Sequence, residues 1–192
     1  MFIITVAISI FLIGPSLSSM ESVKHENIDP AACWPYYDGL LRLRQACAEG
    51  DLSLVRKLLE LAIPIDATYG VGQQPYHYPS PLYFASAYGH IDVVNFLITK
   101  GADVQTPIPG THTMTAKEGA TNEPIPYGDG CAAIHIAARN GHRQVVEALV
   151  TAGAPADTPT NTQMTAAALA RVNGHFELAS WLEHHNDTAV GK

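Results

Sequence analysis

The sequence predicts an all-α fold, a solenoid of stacked helix–turn–helix units, and two observations support this prediction. One is a phrase that recurs four times: small residues, two variable residues, and a glycine followed by His or Asp. Its copies lie at 46–51, 85–90, 137–142 and 170–175. The other is an aliphatic run with fixed spacing after each glycine. Self-similarity of this kind is typical of repeat architectures, in which each unit buries its apolar stripe against its neighbours.

The alanine-rich stretch before each glycine predicts the first helix of a unit, as at 134–138. Alanine has the highest helix propensity and a very small side chain, so neighbouring helices can pack closely there. In the second unit Ser80 can cap this helix, and Pro81 can occupy its first position, where the missing N–H costs nothing. The following glycine can adopt the positive φ that a tight turn between helices needs.

The aliphatic run after each glycine predicts the second helix of each unit. Apolar side chains stand four, five and eight residues after the glycine, offsets that place them on one helical stripe. The stripe consists of Leu54, Val55 and Leu58, then Val93, Val94 and Leu97, then Val145, Val146 and Leu149, and finally Leu178, Ala179 and Leu182. Gly101 and Gly153 follow two of these helices and suit C-terminal caps. We therefore expect one continuous apolar seam through all four units.

These units resemble ankyrin repeats. The helix-opening pattern of that family, Thr-Pro-Leu-His-x-Ala, reappears at 80–85 and more loosely at 132–137 and 165–170. Its closing pattern, Leu-Leu-x-x-Gly-Ala, reappears at 97–102 and 149–154. The resemblance implies an ankyrin-type helix–turn–helix solenoid with extended β-turn loops, called fingers. It also implies that a concave face and the finger tips bind a protein partner.

The repeats and the segments around them give the predicted domain organisation. It consists of a signal peptide or membrane anchor at 1–19, an N-terminal capping segment at 20–39, the ankyrin repeat domain at 40–185 and a tail at 186–192. The repeats are placed at about 40–69, 80–105, 130–160 and 163–185, with insertions at 69–79 and 106–130. The insertions follow from glycine spacings that exceed a period of about 33 residues.

The longer insertion has two interpretations. Pro107-Ile108-Pro109 near its start is echoed by a similar triplet at 124–126, and paired prolines favour extended backbone. It is either a surface loop tolerated because lengthening costs little, or a functional finger, since unusually long loops inside compact domains are often functional.

The N-terminus resembles a secretory signal peptide. An apolar run at 2–13 is followed by Gly14-Pro15 and by the small residues 16–19, which suit a cleavage site. This predicts a secreted, periplasmic or secretory-lumen protein. The alternatives are a membrane anchor formed by 2–13 and a misassigned start codon, because no Lys or Arg precedes the run.

Charge and cysteine content limit the partners and chemistry. The formal net charge is −7 and the basic residues are scattered, so nucleic acid is not an expected partner. A monomer is expected, in contact with a membrane only through an uncleaved N-terminus. Cys47 falls in a buried small-residue column, whereas Cys33 and Cys131 either pair in an oxidising compartment or remain thiols.

No enzyme motif occurs, and we predict no catalytic residue, metal site or cofactor. Among the nine histidines, the resemblance implies structural roles for His90, His142 and His175 after the turn glycines and for His135 in the helix-opening column. His184-His185 is interpreted as part of a solvated C-terminal face.

Candidate partner-binding residues come from the fingers and from the variable positions before the turn glycines. The shorter insertion offers Tyr76 and Tyr78, and the longer one His112, Met114 and Lys117. Ankyrin proteins also bind through residues before the turn glycine, which here are Tyr88, Arg139 and Asn140. The leading hypothesis is therefore an exported protein-interaction module. The alternatives are an assembly factor of an envelope or secretory complex and a small-molecule or metal-dependent activity in 106–130.

Overall fold

A computed structural model of the chain describes residues 30–66, 79–107 and 130–189, and within these the side chains from 39 to 185. The described residues form eight helices and no strand, which confirms the all-α prediction. The helices are α1 (Pro30–Glu49), α2 (Leu52–Glu60), α3 (Pro81–Tyr88), α4 (Ile91–Thr99), α5 (Ala133–Arg139), α6 (Arg143–Thr151), α7 (Ala166–Val172) and α8 (Phe176–Ala189).

The four helix pairs belong to one compact unit, Tyr36–Lys192, apart from the start of α1. Helix α1 begins at Pro30, inside the segment predicted as an N-terminal cap, and α8 continues beyond the predicted end of the last repeat. The domain limits drawn from sequence stay a prediction.

Each pair packs on the next in two layers. The first helices α3, α5 and α7 lie side by side, and so do the second helices α2, α4 and α6. Within a unit the two helices are joined by a glycine turn, as at Gly89, whose φ of 78° is left-handed. All four turn glycines adopt positive φ, which confirms the predicted helix–turn–helix unit; they are Gly50, Gly89, Gly141 and Gly174.

The predicted seam exists. Leu58, Leu97, Leu149 and Leu182 are between 0 and 6 % exposed and belong to one hydrophobic cluster. The cluster extends from Leu43 in α1 to Leu182 in α8 without interruption between repeats. Because full burial of one such leucine is worth about 1.5–3 kcal/mol, burial of this seam favours stacking of the units.

The helix starts show why these segments are helical. Ser80 accepts a hydrogen bond from the backbone N–H of Tyr83, and Pro81 occupies the first position as predicted. Thr165 caps α7 in the same way. Ala132 has no side-chain acceptor for α5; instead Nδ1 of His135 accepts the backbone N–H of Ala132 at 3.1 Å.

No helix in the part of the chain that the structure describes is both long and apolar enough to cross a bilayer. The apolar run at 2–13 lies outside that part, so the predicted signal peptide or anchor stays a prediction.

Candidate interaction surface

The first helices present one side to the core and another to solvent. Four residues before each turn glycine stands a fully buried alanine, such as Ala85 or Ala137. Residues one, two and five before the glycine reach the opposite side in the second to fourth units. We define the inner-helix face as the half-buried or exposed residues at these positions: Phe84, Tyr88, Arg139, Leu169, Asn140, Val172 and Asn173.

A small apolar cluster lies under the inner-helix face and is separate from the main core. Tyr83, Ala87 and Ile136 form its buried part, with exposures of 1 to 3 %. Phe84 and Tyr88 pack on it while remaining half-buried. The rings of Tyr83 and Phe84 meet edge to face, with centroids 6.4 Å apart. Packing thus holds two aromatic side chains in place at the surface between α3 and α5.

A row of histidines joins neighbouring repeats beside this cluster. His90 bonds through Nε2 to the carbonyl oxygen of Ala48 at 2.8 Å, and His142 bonds likewise to Ala87 at 3.0 Å. Since a carbonyl only accepts, Nε2 is the protonated nitrogen in each ring. Each ring also covers the turn glycine of the preceding repeat: a Cβ on Gly89 would lie 2.5 Å from Nδ1 of His142. These contacts confirm the structural roles expected for His90 and His142.

His175 continues the row. A Cβ on Gly141 would lie 2.4 Å from Cε1 of His175, so this ring also occupies the space above a turn glycine. Burial lowers the pKa of His142 below its ordinary value, partly offset by the bond to Ala87. Charge repulsion from His90 and His175 lowers this pKa further.

His135 is a structural side chain with both nitrogens occupied. It is 1 % exposed; Nδ1 accepts the N–H of Ala132, and Nε2 bonds to the carbonyl oxygen of Thr158 at 2.8 Å in the next finger. These two partners fix the neutral tautomer with the proton on Nε2. Burial is the main cause that lowers its pKa. His135 therefore has no lone pair to offer to a metal or a substrate.

Asn140 and Arg139 lie next to each other but make different contacts. The exposed Asn140 donates its side-chain amide to the carbonyl oxygen of Ala87 at 2.7 Å, beside Tyr88. Its amide nitrogen thus holds two repeats together. Arg139 is half-buried, and its guanidinium makes no hydrogen bond or ion pair with any described residue.

The structure brings Tyr88, Arg139 and Asn140 to one face, as the sequence positions suggested. Their role in partner binding stays a prediction. The remaining candidates lie outside the described residues, and they are Tyr76, Tyr78, His112, Met114 and Lys117. The Cys33 side chain is also outside that part, so its pairing with Cys131 is untested.

The candidate residues chosen from the sequence leave out several apolar surface residues. Phe84 supports the aromatic cluster, whereas Val172 and Phe176 in the last unit are 74 and 63 % exposed. Val172 stands two residues before its turn glycine, the position that Arg139 occupies in the third unit. The position that Val172 shares with Arg139 was the sequence signal that could have made Val172 a candidate.

The described residues contain no group of three His, Cys, Asp or Glu side chains that could hold a metal ion. Burial raises the pKa of the Cys47 thiol to about 12, so it behaves as a small apolar side chain. His184 and His185 are exposed and bond through Nδ1 to the carbonyls of Ser180 and Trp181 in their own helix.

Comparison with known proteins identifies ankyrin repeats in this chain. A family profile described as ankyrin repeats in three copies matches residues 112–190, and one described as ankyrin repeats in many copies matches 43–98. An ankyrin repeat and KH domain-containing protein of Caenorhabditis briggsae is 30 % identical over 122 residues, 55 % of this chain. A probable E3 ubiquitin-protein ligase of Oryza sativa subsp. japonica is 45 % identical over 65 residues, 33 % of this chain. The matches span only 5 and 11 % of those two proteins.

Proposed function

The chain belongs to the ankyrin-repeat family, and from this membership we propose that it binds a protein partner through the inner-helix face and the two long insertions. Ankyrin repeats form protein–protein interaction modules and are generally non-catalytic. The inner-helix face corresponds to the concave side in this family. We propose that the chain acts there as a monomer.

The observation that supports this surface most strongly is the separate aromatic cluster. Phe84 and Tyr88 stay half-buried above a buried base of Tyr83 and Ile136, so part of each ring is accessible to a partner. Tyrosine is enriched among residues that dominate binding energy, because it offers a large contact area with few rotatable bonds. Since packing already orders these rings, little conformational entropy is lost when a partner binds.

We also propose that the protein is exported and loses residues 1–19. The composition of 2–19 supports this, and anchoring by 2–13 is the alternative. The mass of the protein purified from its own host distinguishes the two. A chain that begins near residue 20 supports cleavage, and a membrane-associated chain of full mass supports the anchor.

The binding surface is tested by affinity capture with the tagged chain, followed by quantitative measurement of the recovered partner. We expect Tyr88→Ala and Arg139→Ala to reduce recovery strongly while the melting temperature changes little. Arg143→Ala is the matched control, because Arg143 lies on α6 and pairs with Glu147 instead. A lowered melting temperature with unchanged recovery would assign Tyr88 and Arg139 to the scaffold.

A further inference from the structure

Resting on that proposed function, we infer that the inner-helix face recognises an acidic segment that also carries apolar side chains. A carboxylate of the segment pairs with Arg139, and an aromatic or aliphatic side chain packs against Phe84 and Tyr88. Three observations support this chemistry. They are the division of charge between the two helix layers, the absence of a carboxylate partner for Arg139 among the described residues, and the aromatic cluster.

Charge is divided between the two helix layers. The first helices α3, α5 and α7 contain no Asp or Glu and carry two arginines, Arg139 and Arg171. Each second helix packed behind them contains at least one acid: Asp92 in α4, Glu147 in α6 and Glu177 in α8. In a chain of net charge −7, the helices α3, α5 and α7 thus add no carboxylate of their own that would repel a carboxylate of the partner.

Arg139 differs from the other arginines of α3 to α8. Nε of Arg143 pairs with Glu147 at 2.8 Å, and Arg171 reaches both carboxylate oxygens of Glu183 at 2.6 and 2.7 Å. Arg139 has no carboxylate partner in the described part of the chain, although its side chain is half-buried. A guanidinium presents a planar fork that fits a carboxylate with two parallel hydrogen bonds.

The apolar part of the surface adjoins this arginine. Asn140, the residue after Arg139, donates a hydrogen bond to the carbonyl oxygen of Ala87. The residue after Ala87 is Tyr88. Val172, 74 % exposed on α7, lies at the position equivalent to Arg139 and continues the apolar surface. Arg139, which has no ion pair within the described residues, does not by itself form the row of positive charges that nucleic acid requires. An acidic peptide with apolar side chains fits both the Arg139 guanidinium and the apolar surface beside it.

The test is selection of random twelve-residue peptides displayed on phage against the purified full chain. We expect the enriched peptides to have a negative mean charge and an excess of aromatic or aliphatic residues. The most enriched peptide is then synthesised in two forms, one with its Asp and Glu and one with Asn and Gln instead. We expect the acidic form to bind at least tenfold more tightly, with an affinity that falls as salt is added.

Variants then locate the contact. Arg139→Gln should weaken binding of the acidic form about three- to tenfold and flatten its salt dependence, since a partly desolvated charge pair is lost. It should leave the neutral form unaffected. Arg143→Gln is the matched control on α6 and should change neither. Tyr88→Ala should weaken both forms.

The other outcomes are distinct. Enrichment of neutral or basic peptides that still depend on Tyr88 would overturn the acidic specificity and leave the proposed binding surface intact. Acidic peptides that bind Arg139→Gln as tightly as the original chain would also overturn it. No enrichment, or peptides insensitive to both Tyr88→Ala and Arg139→Gln, would overturn the proposed function as well.

Discussion

Asn140 donates its side-chain amide to the backbone carbonyl oxygen of Ala87 across 2.7 Å, linking the end of α5 to the end of α3. His142 donates to the same oxygen from two residues further along, at 3.0 Å. A carbonyl has two lone pairs, so both bonds can form at once. One buried acceptor with two donors therefore helps to hold the second and third repeats together.

Because Asn140 and His142 share one acceptor, we expect that the losses of unfolding free energy on substituting them will not be additive. We expect Asn140→Ala and His142→Ala each to lower the free energy of unfolding by about 0.5–1.5 kcal/mol beyond any packing loss, because one donor still satisfies the oxygen. The double variant should lose more than the sum, since the buried oxygen is then unpaired. Chemical denaturation of the four proteins measures the coupling. Simple additivity would mean that solvent replaces the missing donors.

The histidine row predicts that the turn glycines are not equivalent. Gly89→Ala should cost about 1–2 kcal/mol for left-handed backbone and a further cost of about 1–3 kcal/mol for overpacking against His142. Gly174→Ala is the matched control, because Gly174 has similar φ but no atom within 4 Å of an added Cβ. Urea denaturation of both variants isolates the contribution of the ring. Equal losses of unfolding free energy in the two variants would show that the His142 ring moves aside at no cost.

Two serines of one repeat should respond in opposite directions. The Ser86 hydroxyl is fully buried and has no hydrogen-bond partner among the described residues. Alanine occupies the equivalent position in the third unit, as Ala138. We expect Ser86→Ala to raise the free energy of unfolding by about 1 kcal/mol, because an unsatisfied polar group is removed. Ser80→Ala should lower it by about 1 kcal/mol, since the N-cap of α3 is lost. Thermal unfolding compares the two; a loss in Ser86→Ala would contradict the account.

His135 should make the fold acid-sensitive. Its pKa is lowered in the folded state, mainly by burial, so the unfolded chain takes up a proton first as the pH falls. The stability linked to the neutral ring is complete above the unfolded pKa of about 6.5 and is lost as the pH drops toward the folded value. Each unit of separation removes about 1.4 kcal/mol.

The measurement is the melting temperature between pH 7.5 and 5, compared with that of His135→Gln. The variant should be less stable at neutral pH but should change less on acidification. A residual slope is expected from His142, whose pKa is lowered as well. If both proteins lost stability in parallel, the acid sensitivity would belong to other groups.

The helix pairs and their core could be predicted because they depend on local periodicity. Offsets from the turn glycines placed Val94 and Leu149 in the seam, and both are fully buried. The cap at Ser80 and the turn at Gly89 follow from the preferences of single residues. Such features need no knowledge of what lies across the interface.

The surface was less predictable because its contacts join distant parts of the chain. Asn140 occupies a position typical of partner contacts, yet its amide is held by a carbonyl 53 residues earlier. The Arg56 guanidinium lies 4.3 Å from the centroid of the Phe96 ring in the next repeat, a contact that no local pattern indicates. Whether an exposed side chain is structural depends on its neighbours in the stack.

His90 and His142 donate to the main-chain carbonyl oxygens of residues 48 and 87, and every amino acid at those positions supplies the same oxygen. Substitution of those side chains during evolution therefore leaves the acceptor in place. The bonds that these two histidines form between units therefore do not depend on the side chains at positions 48 and 87, and a new binding specificity can arise there while the bonds stay in place.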